Sequence, residues 1–255
     1  ATKQIFKISP RFQVFINVSL EGTQAIHDQI RAKKGSFQHC VKTLQALSKL
    51  ARRYPNLGVT TVTTVMKENL DDLPRLMAKI KSLKLDKVLH YFEIIRGEPK
   101  NSKLKRAMTP RQFRTIYEKI LAYQKSKLKA FYGPGFFGWL KAQISIVSLI
   151  SLYQLQYQRY FSQALWPMPC VAGRKMAVID ANGDLRACEL RPRIGNLRKN
   201  RLDFGQLFFS SAMKQEKAVI QSERCDCTHA CFLYMSMKAS ARLMGVYLPL
   251  AFLKI

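Results

Sequence analysis

The chain has 255 residues, enough for one large or two modest domains, and its 47% apolar content excludes a largely disordered polypeptide. Lysine and arginine number 43 against 16 aspartates and glutamates, which gives a formal net charge of +27. A surface this positive attracts anionic partners such as nucleic acid, an acidic membrane face or anionic substrates and cofactors, but charge alone does not choose among them.

The first hundred residues alternate predicted strands with predicted helices. Strand patterns cover residues 12–20, 58–66 and 87–95, and amphipathic helical patterns begin at Ser36 and after Asn69, the predicted N-cap. This alternation is typical of βαβ units and predicts a parallel sheet with helical crossovers. Three parallel strands cannot close a barrel, so we expect an α/β fold that is part of a larger (β/α) barrel, with its reactive face at the carboxyl ends of the strands.

A helical connector is predicted for residues 101–165. It begins with Thr109 as the N-cap and Pro110 at the first helical position, and the sequence GPGFFG (133–138) interrupts it. In the helix that follows, serines and glutamines make the uncharged run 142–158 too polar to be predicted as a membrane span. Packing against the sheet or a partner is the favoured role, and a substrate channel wall or a helix on a membrane surface are the alternatives.

Five of the six cysteines lie in two clusters within residues 166–255, which we predict to form a small α+β domain with a C-terminal helix over residues 232–255. Cys170 and Cys188 flank a predicted β-hairpin, whose turn is indicated by Asn182 and Gly183. The second cluster is the sequence CDCTHAC, which contributes Cys225, Cys227 and Cys231. Thiolates from two distant short segments are suitable ligands for an iron–sulfur cluster or another metal centre.

Zinc is the main alternative to iron for these cysteines. A structural zinc site usually takes two pairs of roughly C-x2-C spacing, and neither cluster has that spacing, so an iron–sulfur cluster is favoured. Clustered rather than dispersed cysteines also favour a reducing compartment. We therefore expect a cytoplasmic location, with peripheral attachment to a membrane as the alternative.

Two motifs together resemble the radical S-adenosylmethionine (SAM) enzymes that carry a C-terminal SPASM or twitch auxiliary iron–sulfur domain. The first is Cys170-x12-Gly183-x4-Cys188 followed by a closing C-x3-C, and the second is VSLEGTQAIHDQIRAKKGSF (18–37). The resemblance implies that residues 1–100 are the C-terminal part of a radical SAM-like barrel and that the cysteine-rich domain is SPASM-like or twitch-like. It also implies metal binding and oxidoreductase chemistry.

Site residues follow from the same resemblance. Ser19 and Glu21 would lie near the ribose of SAM and Arg31 near its carboxylate, while Arg96 would bind an anionic group at the end of the third strand. An auxiliary [4Fe–4S] cluster would take four of the five clustered cysteines. Motif position favours the following ligands: Cys170, Cys188 and Cys231, with either Cys227 or Cys225 as the fourth.

The family's defining CxxxCxxC loop, which holds the SAM-cleaving cluster, does not occur in these 255 residues. The chain therefore looks like a C-terminal fragment, inactive alone, of a protein that binds SAM and a second [4Fe–4S] cluster. Substrates in the resembled family are often peptides or proteins, so we expect a peptide, protein or small-molecule substrate and a reductant protein. Two alternatives stay open: a zinc-stabilised basic module that binds nucleic acid or an anionic membrane, and an electron-transfer or scaffold subunit.

Overall fold

The structure is a computed structural model that describes residues 12–95, 108–243 and 245. The chain divides into two compact units, Ala1–Ile150 and Ser151–Ile255. The predicted division into three segments, with borders near residues 100 and 165, stays a prediction.

The first unit is mixed α/β and contains a parallel three-stranded sheet in the order β1-β2-β3. The strands are β1 (Val14–Ser19), β2 (Leu57–Val65) and β3 (Val88–Ile94). All three predicted strands and their parallel pairing are therefore confirmed. The central strand β2 is almost wholly buried, whereas β1 pairs only with β2 among the described residues and exposes the side chains of Phe15, Asn17 and Ser19.

Three helices connect these strands: α1 (Gln24–Ile30), α2 (Ser36–Arg53) and α3 (Leu73–Ser82). The helix predicted at Ser36 is confirmed, and α1 was missed. The predicted N-cap at Asn69 is wrong, because Asn69 ends a short 3-10 turn and α3 begins only at Leu73, with Asp72 as its N-cap. The side chain of Asn69 turns instead toward the backbone at the ends of β1 and β2.

Two long helices follow, α4 (Pro110–Tyr132) and α5 (Phe136–Ser162). As predicted, Thr109 caps α4, since its hydroxyl accepts a hydrogen bond from the backbone N–H of Gln112 at 3.2 Å. Gly133 and Gly135 have φ values of +76° and +94°, which favour glycine, so the predicted interruption is also confirmed. Gln124 in α4 donates a hydrogen bond to the backbone carbonyl of His90, which ties α4 to β3.

Helix α5 corrects one expectation. By length and composition it qualifies as a membrane span, although 39% of its most apolar window is buried in the protein. The prediction that serines and glutamines make this helix too polar to span a membrane is therefore wrong as far as its composition is concerned. One such helix is weak grounds for a transmembrane protein, because long core helices of soluble proteins have the same composition.

His90 on β3 is enclosed in the first unit. Its Nε2 lies 2.8 Å from the hydroxyl of Thr63 and its Nδ1 lies 3.2 Å from the hydroxyl of Tyr123, and its ring stacks on Phe92. The hydroxyl of Thr63 donates to the backbone carbonyl of Leu20, so it accepts from Nε2 and leaves Nδ1 to accept from Tyr123. These contacts suit a neutral imidazole, and burial lowers the pKa of His90 to about 3.

This buried histidine predicts a loss of stability in mild acid. Below pH 6.5 the unfolded chain protonates this histidine while the folded chain does not until about pH 3, so the unfolding free energy should fall by about 1.4 kcal/mol per pH unit. Between pH 7 and pH 5 we expect the wild type to lose about 2 kcal/mol more than His90→Gln, measured from urea unfolding curves. Equal losses in the two proteins would show that His90 does not titrate in this way.

Among its described residues, the second unit contains the end of α5, an antiparallel three-stranded sheet and three further α-helices. Its elements are β4 (Val178–Ile179), β5 (Asp184–Arg186), β6 (Arg193–Asn196), α6 (Phe204–Phe208), α7 (Ser211–Ser222) and α8 (Ala230–Ala239). The hairpin predicted at Asn182 and Gly183 is confirmed: Gly183 has a φ of +88°, and the carboxylate of Asp180 accepts backbone N–H groups from Asn182 and Asp184. Strand β6 was not predicted. The predicted final helix over residues 232–255 is wrong in its extent, because α8 ends at Ala239 and Ser240 is extended. Residues 244 and 246–255 lie outside the described part of the chain.

Candidate functional site

Four cysteines of the second unit are placed by three short segments. Cys170 precedes a tight turn that is closed by a 2.7 Å hydrogen bond from Gly173 N–H to the Met176 carbonyl. Cys188 comes two residues after β5, and both of these cysteines are buried. Cys225 and Cys227 lie in the loop between α7 and α8 and are half-buried. The hairpin therefore returns the chain from one cysteine of the first cluster to the other.

Burial and neighbouring thiols both raise the pKa values of Cys225 and Cys227. Burial is the main cause that raises the pKa of Cys225 to about 11 and that of Cys227 to about 12. In both cases Cys170 and Cys188 raise the pKa further, because negative charges on neighbouring sulfurs repel each other. Cys170 and Cys188 therefore lie close enough to Cys225 and Cys227 for their charges to interact, and a shared ligand set stays a prediction.

Cys231 differs from these four. It lies in the first turn of α8 and is exposed. Its predicted place in the ligand set stays a prediction, but its exposure does not favour it over Cys225 or Cys227.

Within the described ranges, no group of three or more histidine, cysteine, aspartate or glutamate side chains stands ready to hold a metal ion. Around zinc, four sulfurs at about 2.3 Å from the metal must approach one another to about 3.8 Å. In a [4Fe–4S] cluster each thiolate binds a different iron, so the sulfurs stand farther apart. The described residues thus hold no ready ligand set for either metal centre, and cluster binding is a proposal developed below.

A cavity of about 240 Å³ borders two of these thiols. Cys170 and Cys225 line it together with three basic side chains, and no acidic residue is among its lining; the basic residues are Arg174, Lys217 and Arg224. Four thiolates around an iron–sulfur core carry net negative charge, which such cations would offset. Arg186 is not among the lining residues; it forms an ion pair with Asp180 and donates to the Arg191 carbonyl.

Several buried polar atoms around the CDCTHAC loop have no hydrogen-bond partner within the described part of the chain. They are Gln156 Oε1, Arg159 Nε, Asp226 Oδ2 and His229 Nδ1. Buried polar atoms are nearly always paired, so their concentration here is what a site built around a further polar or charged group would show. The backbone N–H of His229 also points at the sulfur of Cys227, at 3.3 Å.

Two residues that position this loop were missed from sequence. Trp166 donates its indole N–H to the carbonyl of Cys227 at 2.9 Å, and the amide of Gln156 donates to the carbonyl of Thr228 at the same distance. The only sequence signal was the position of Trp166, four residues before Cys170. Nothing in the pattern of α5 singled out Gln156 from the other glutamines of that helix.

The predicted SAM-side residues lie at the carboxyl end of the parallel sheet. The carboxylate of Glu21 accepts from Arg31 at 2.7 Å through one oxygen and from the backbone N–H of Thr64 at 2.8 Å through the other. Burial nevertheless raises the pKa of Glu21. Ser19 is exposed at the end of β1, and Arg96 lies outside the described residues.

Glu21 and Arg31 are therefore brought together, but both carboxylate oxygens of Glu21 already serve the protein. Asn69 and His27 complete this arrangement and were not predicted to do so. The amide of Asn69 donates to the carbonyls of Glu21 and Thr64, and Nδ1 of His27 accepts the backbone N–H of Glu21 at 3.0 Å. The contacts of Glu21 explain its burial without a ligand, so its role toward SAM stays a prediction.

Comparison with known proteins gives one weak match. No protein-family model matches the chain, and no curated protein matches it. A solved structure described as native anSMEcpe with bound AdoMet and the Kp18Cys peptide is similar, with a TM-score of 0.41 and 10% identity over 98% of this chain and 72% of that one. That protein is an anaerobic sulfatase-maturating enzyme of the radical SAM SPASM type. A similarity of this degree assigns no function to this chain.

Proposed function

We propose that these residues form part of a radical SAM/SPASM-type enzyme and bind one auxiliary [4Fe–4S] cluster through Cys170, Cys188, Cys225 and Cys227. The observation that carries the proposal is that Cys170 and Cys225, which come from two distant segments, line the same cavity. Negative charge on Cys170 and Cys188 also raises the pKa of Cys225 and Cys227, which supports it. The unpaired polar atoms around the same loop and the basic lining of the adjoining cavity support it. Motif position had favoured Cys231, and its exposure is why we assign both Cys225 and Cys227 instead.

The chain's own residues would fix and tune such a cluster. Trp166 holds the backbone of Cys227, and the N–H of His229 would donate to that sulfur and stabilise its thiolate form. Arg174 and Arg224 would offset negative charge at the cavity side. A bound cluster supplies electron transfer or ligation of the substrate.

The wider reaction rests on the resemblance of the two sequence motifs. In that family the CxxxCxxC loop cleaves SAM, and these 255 residues do not contain it. We therefore assign radical generation to a part of the enzyme beyond these residues, and the parallel sheet with Glu21 and Arg31 to a portion of the SAM-side barrel. The substrate class that fits best is a peptide or protein side chain, with a small molecule as the alternative and a reductant protein as the electron source.

Metal and sulfide analysis tests the proposal. After anaerobic purification and reconstitution, the chain should be brown and hold about four iron and four sulfide ions per molecule. Cys188→Ala should lose most of both, because the remaining thiols cannot close the ligand set. Cys40→Ala is the matched control: Cys40 is half-buried in the first unit, near His27, and its removal should leave the iron content unchanged.

A basic zinc module is the second candidate, and the net charge of +27 is the observation in its favour. It predicts a colourless protein with one zinc ion and no sulfide, and steeply salt-dependent binding to unrelated nucleic acid. That result would replace the iron–sulfur proposal.

A further inference from the structure

The start of helix α5 carries an exposed aromatic group. Phe136, Phe137 and Trp139, here called the aromatic tip, are 66%, 74% and 49% exposed. They follow directly on the Gly-Pro-Gly turn between α4 and α5. The ring of Phe136 lies 5.6 Å from that of Phe137 and 6.1 Å from that of Trp139. Three large aromatic side chains in one exposed group are unusual on a soluble surface and typically mark a contact site.

The exposed face of the first turns of α5 is largely apolar. The hydroxyl of Ser148 is buried and donates to the carbonyl of Ile144, and that of Ser145 contacts the hydroxyl of Tyr132 at 3.1 Å. On the outer face, Phe137, Lys141 and Ile144 follow one another at helical spacing and are all exposed. The water-facing side of a helix is normally polar, so this outer face suits an apolar surrounding.

The charge around the aromatic tip is entirely positive. Lys129 in the last turn of α4 and Lys141 in the second turn of α5 are exposed on either side of it. No aspartate or glutamate occurs in the sequence between Glu118 and Asp180. Aromatic rings flanked by lysines match the interface of an anionic bilayer, where rings sit at the headgroup level and lysines meet lipid phosphates.

We propose that the aromatic tip inserts into the headgroup region of an anionic membrane and that Lys129 and Lys141 bind lipid phosphates beside it. The inner face of α5, which includes Ala142, Ile146 and Val147, is buried in the protein and is not available to lipid. The attachment is therefore peripheral and does not use the whole helix as a span. This inference is independent of the iron–sulfur proposal.

Vesicle binding of the full chain tests the inference. The wild type should sediment with phosphatidylcholine vesicles that contain phosphatidylserine and only weakly with pure phosphatidylcholine. Phe136→Ser with Phe137→Ser should weaken partitioning about tenfold or more, since two apolar anchors are lost. Lys129→Gln with Lys141→Gln should weaken binding to anionic vesicles and flatten its salt dependence. The matched control is Phe209→Ser, because Phe209 is 69% exposed but lies in the second unit.

Tryptophan fluorescence gives an independent reading of the same event. The chain has two tryptophans, and Trp166 is only 5% exposed, so a blue shift on adding anionic vesicles would report on Trp139. Four results would overturn the proposal: equal binding to both vesicle types, wild-type binding by the aromatic-tip variant, equal weakening by Phe209→Ser, or membrane retention that resists alkaline carbonate. A blue shift that grows with protein concentration without vesicles would assign the surface to a second copy of the chain instead.

Discussion

Alanine at Cys227 is expected to leave the anaerobically reconstituted chain with less than about a fifth of the wild-type iron, whereas alanine at Cys231 is expected to leave the iron content unchanged. The two cysteines lie four residues apart in the sequence; Cys227 is half-buried, and negative charge on Cys170 and Cys188 raises its pKa. Cys231 is exposed on the first turn of α8. Iron content, sulfide content and visible absorption should fall together in the Cys227 variant.

Comparing the iron content of Cys227→Ala with that of Cys231→Ala distinguishes a cluster bound by Cys227 from one bound by Cys231. Trp166 contacts the backbone carbonyl of Cys227, not its side chain, so the substitution keeps the contact that positions the loop. A far-ultraviolet circular dichroism spectrum like that of the wild type would show that the loss of iron is local. If Cys231→Ala lost the iron instead, the ligand set would be the one that motif position favoured and the assignment to both Cys225 and Cys227 would be wrong.

Asn69→Ala is expected to lower the free energy of unfolding by about 3 kcal/mol, because one buried and two partly buried backbone groups would lose their partners, at about 1 kcal/mol or more each. Asn69 is fully buried; its amide donates to the carbonyls of Glu21 and Thr64, and its oxygen accepts the N–H of Met66. The effect should be measured by urea unfolding at neutral pH. Gln38→Ala, on the exposed face of α2, is the matched control and should change stability by less than about 0.5 kcal/mol.

A loss below about 1 kcal/mol in Asn69→Ala would contradict this view of the site, since water would then have to replace all three contacts. Because Asn69 holds the carbonyl of Glu21, the same variant should also disturb the pairing of Glu21 with Arg31. A loss of stability below about 1 kcal/mol would mean that the hydrogen bonds of Asn69 contribute little to holding the ends of β1 and β2.

Strand identity and pairing followed from the sequence because β2 is rich in valine and threonine, whose branched side chains favour strands, and because βαβ connections impose parallel order. Helix α1 was missed because seven residues give barely two turns, too few for a helical period to stand out. The prediction of Asn69 as an N-cap was wrong because asparagine favours both N-caps and turns. Which backbone groups its side chain contacts depends on how the strand ends fold together.

Local sequence patterns also predicted one part of the candidate site, the hairpin between its first two cysteines. The spacing of Cys170, Gly183 and Cys188 indicated a hairpin, and β4 and β5 form it. Cys170 lies eight residues before β4, so its position also depends on the turn closed by Gly173 and Met176. The CDCTHAC sequence does not reveal that α8 begins at Ala230, and that boundary is what leaves Cys231 exposed. Trp166 and Gln156 act through contacts between segments far apart in sequence, which no local pattern records.

The position of β1 at the edge of the described sheet has a consequence for work with the purified protein. Among the described residues this strand offers unpaired backbone groups along one side, and Phe15 stands in water beside them. An exposed strand edge can pair with strands of other molecules, so concentrated samples are expected to oligomerise slowly through β1 even when the fold is intact. Higher-order species seen on a sizing column should therefore be checked for dissociation on dilution before they are taken for a physiological assembly.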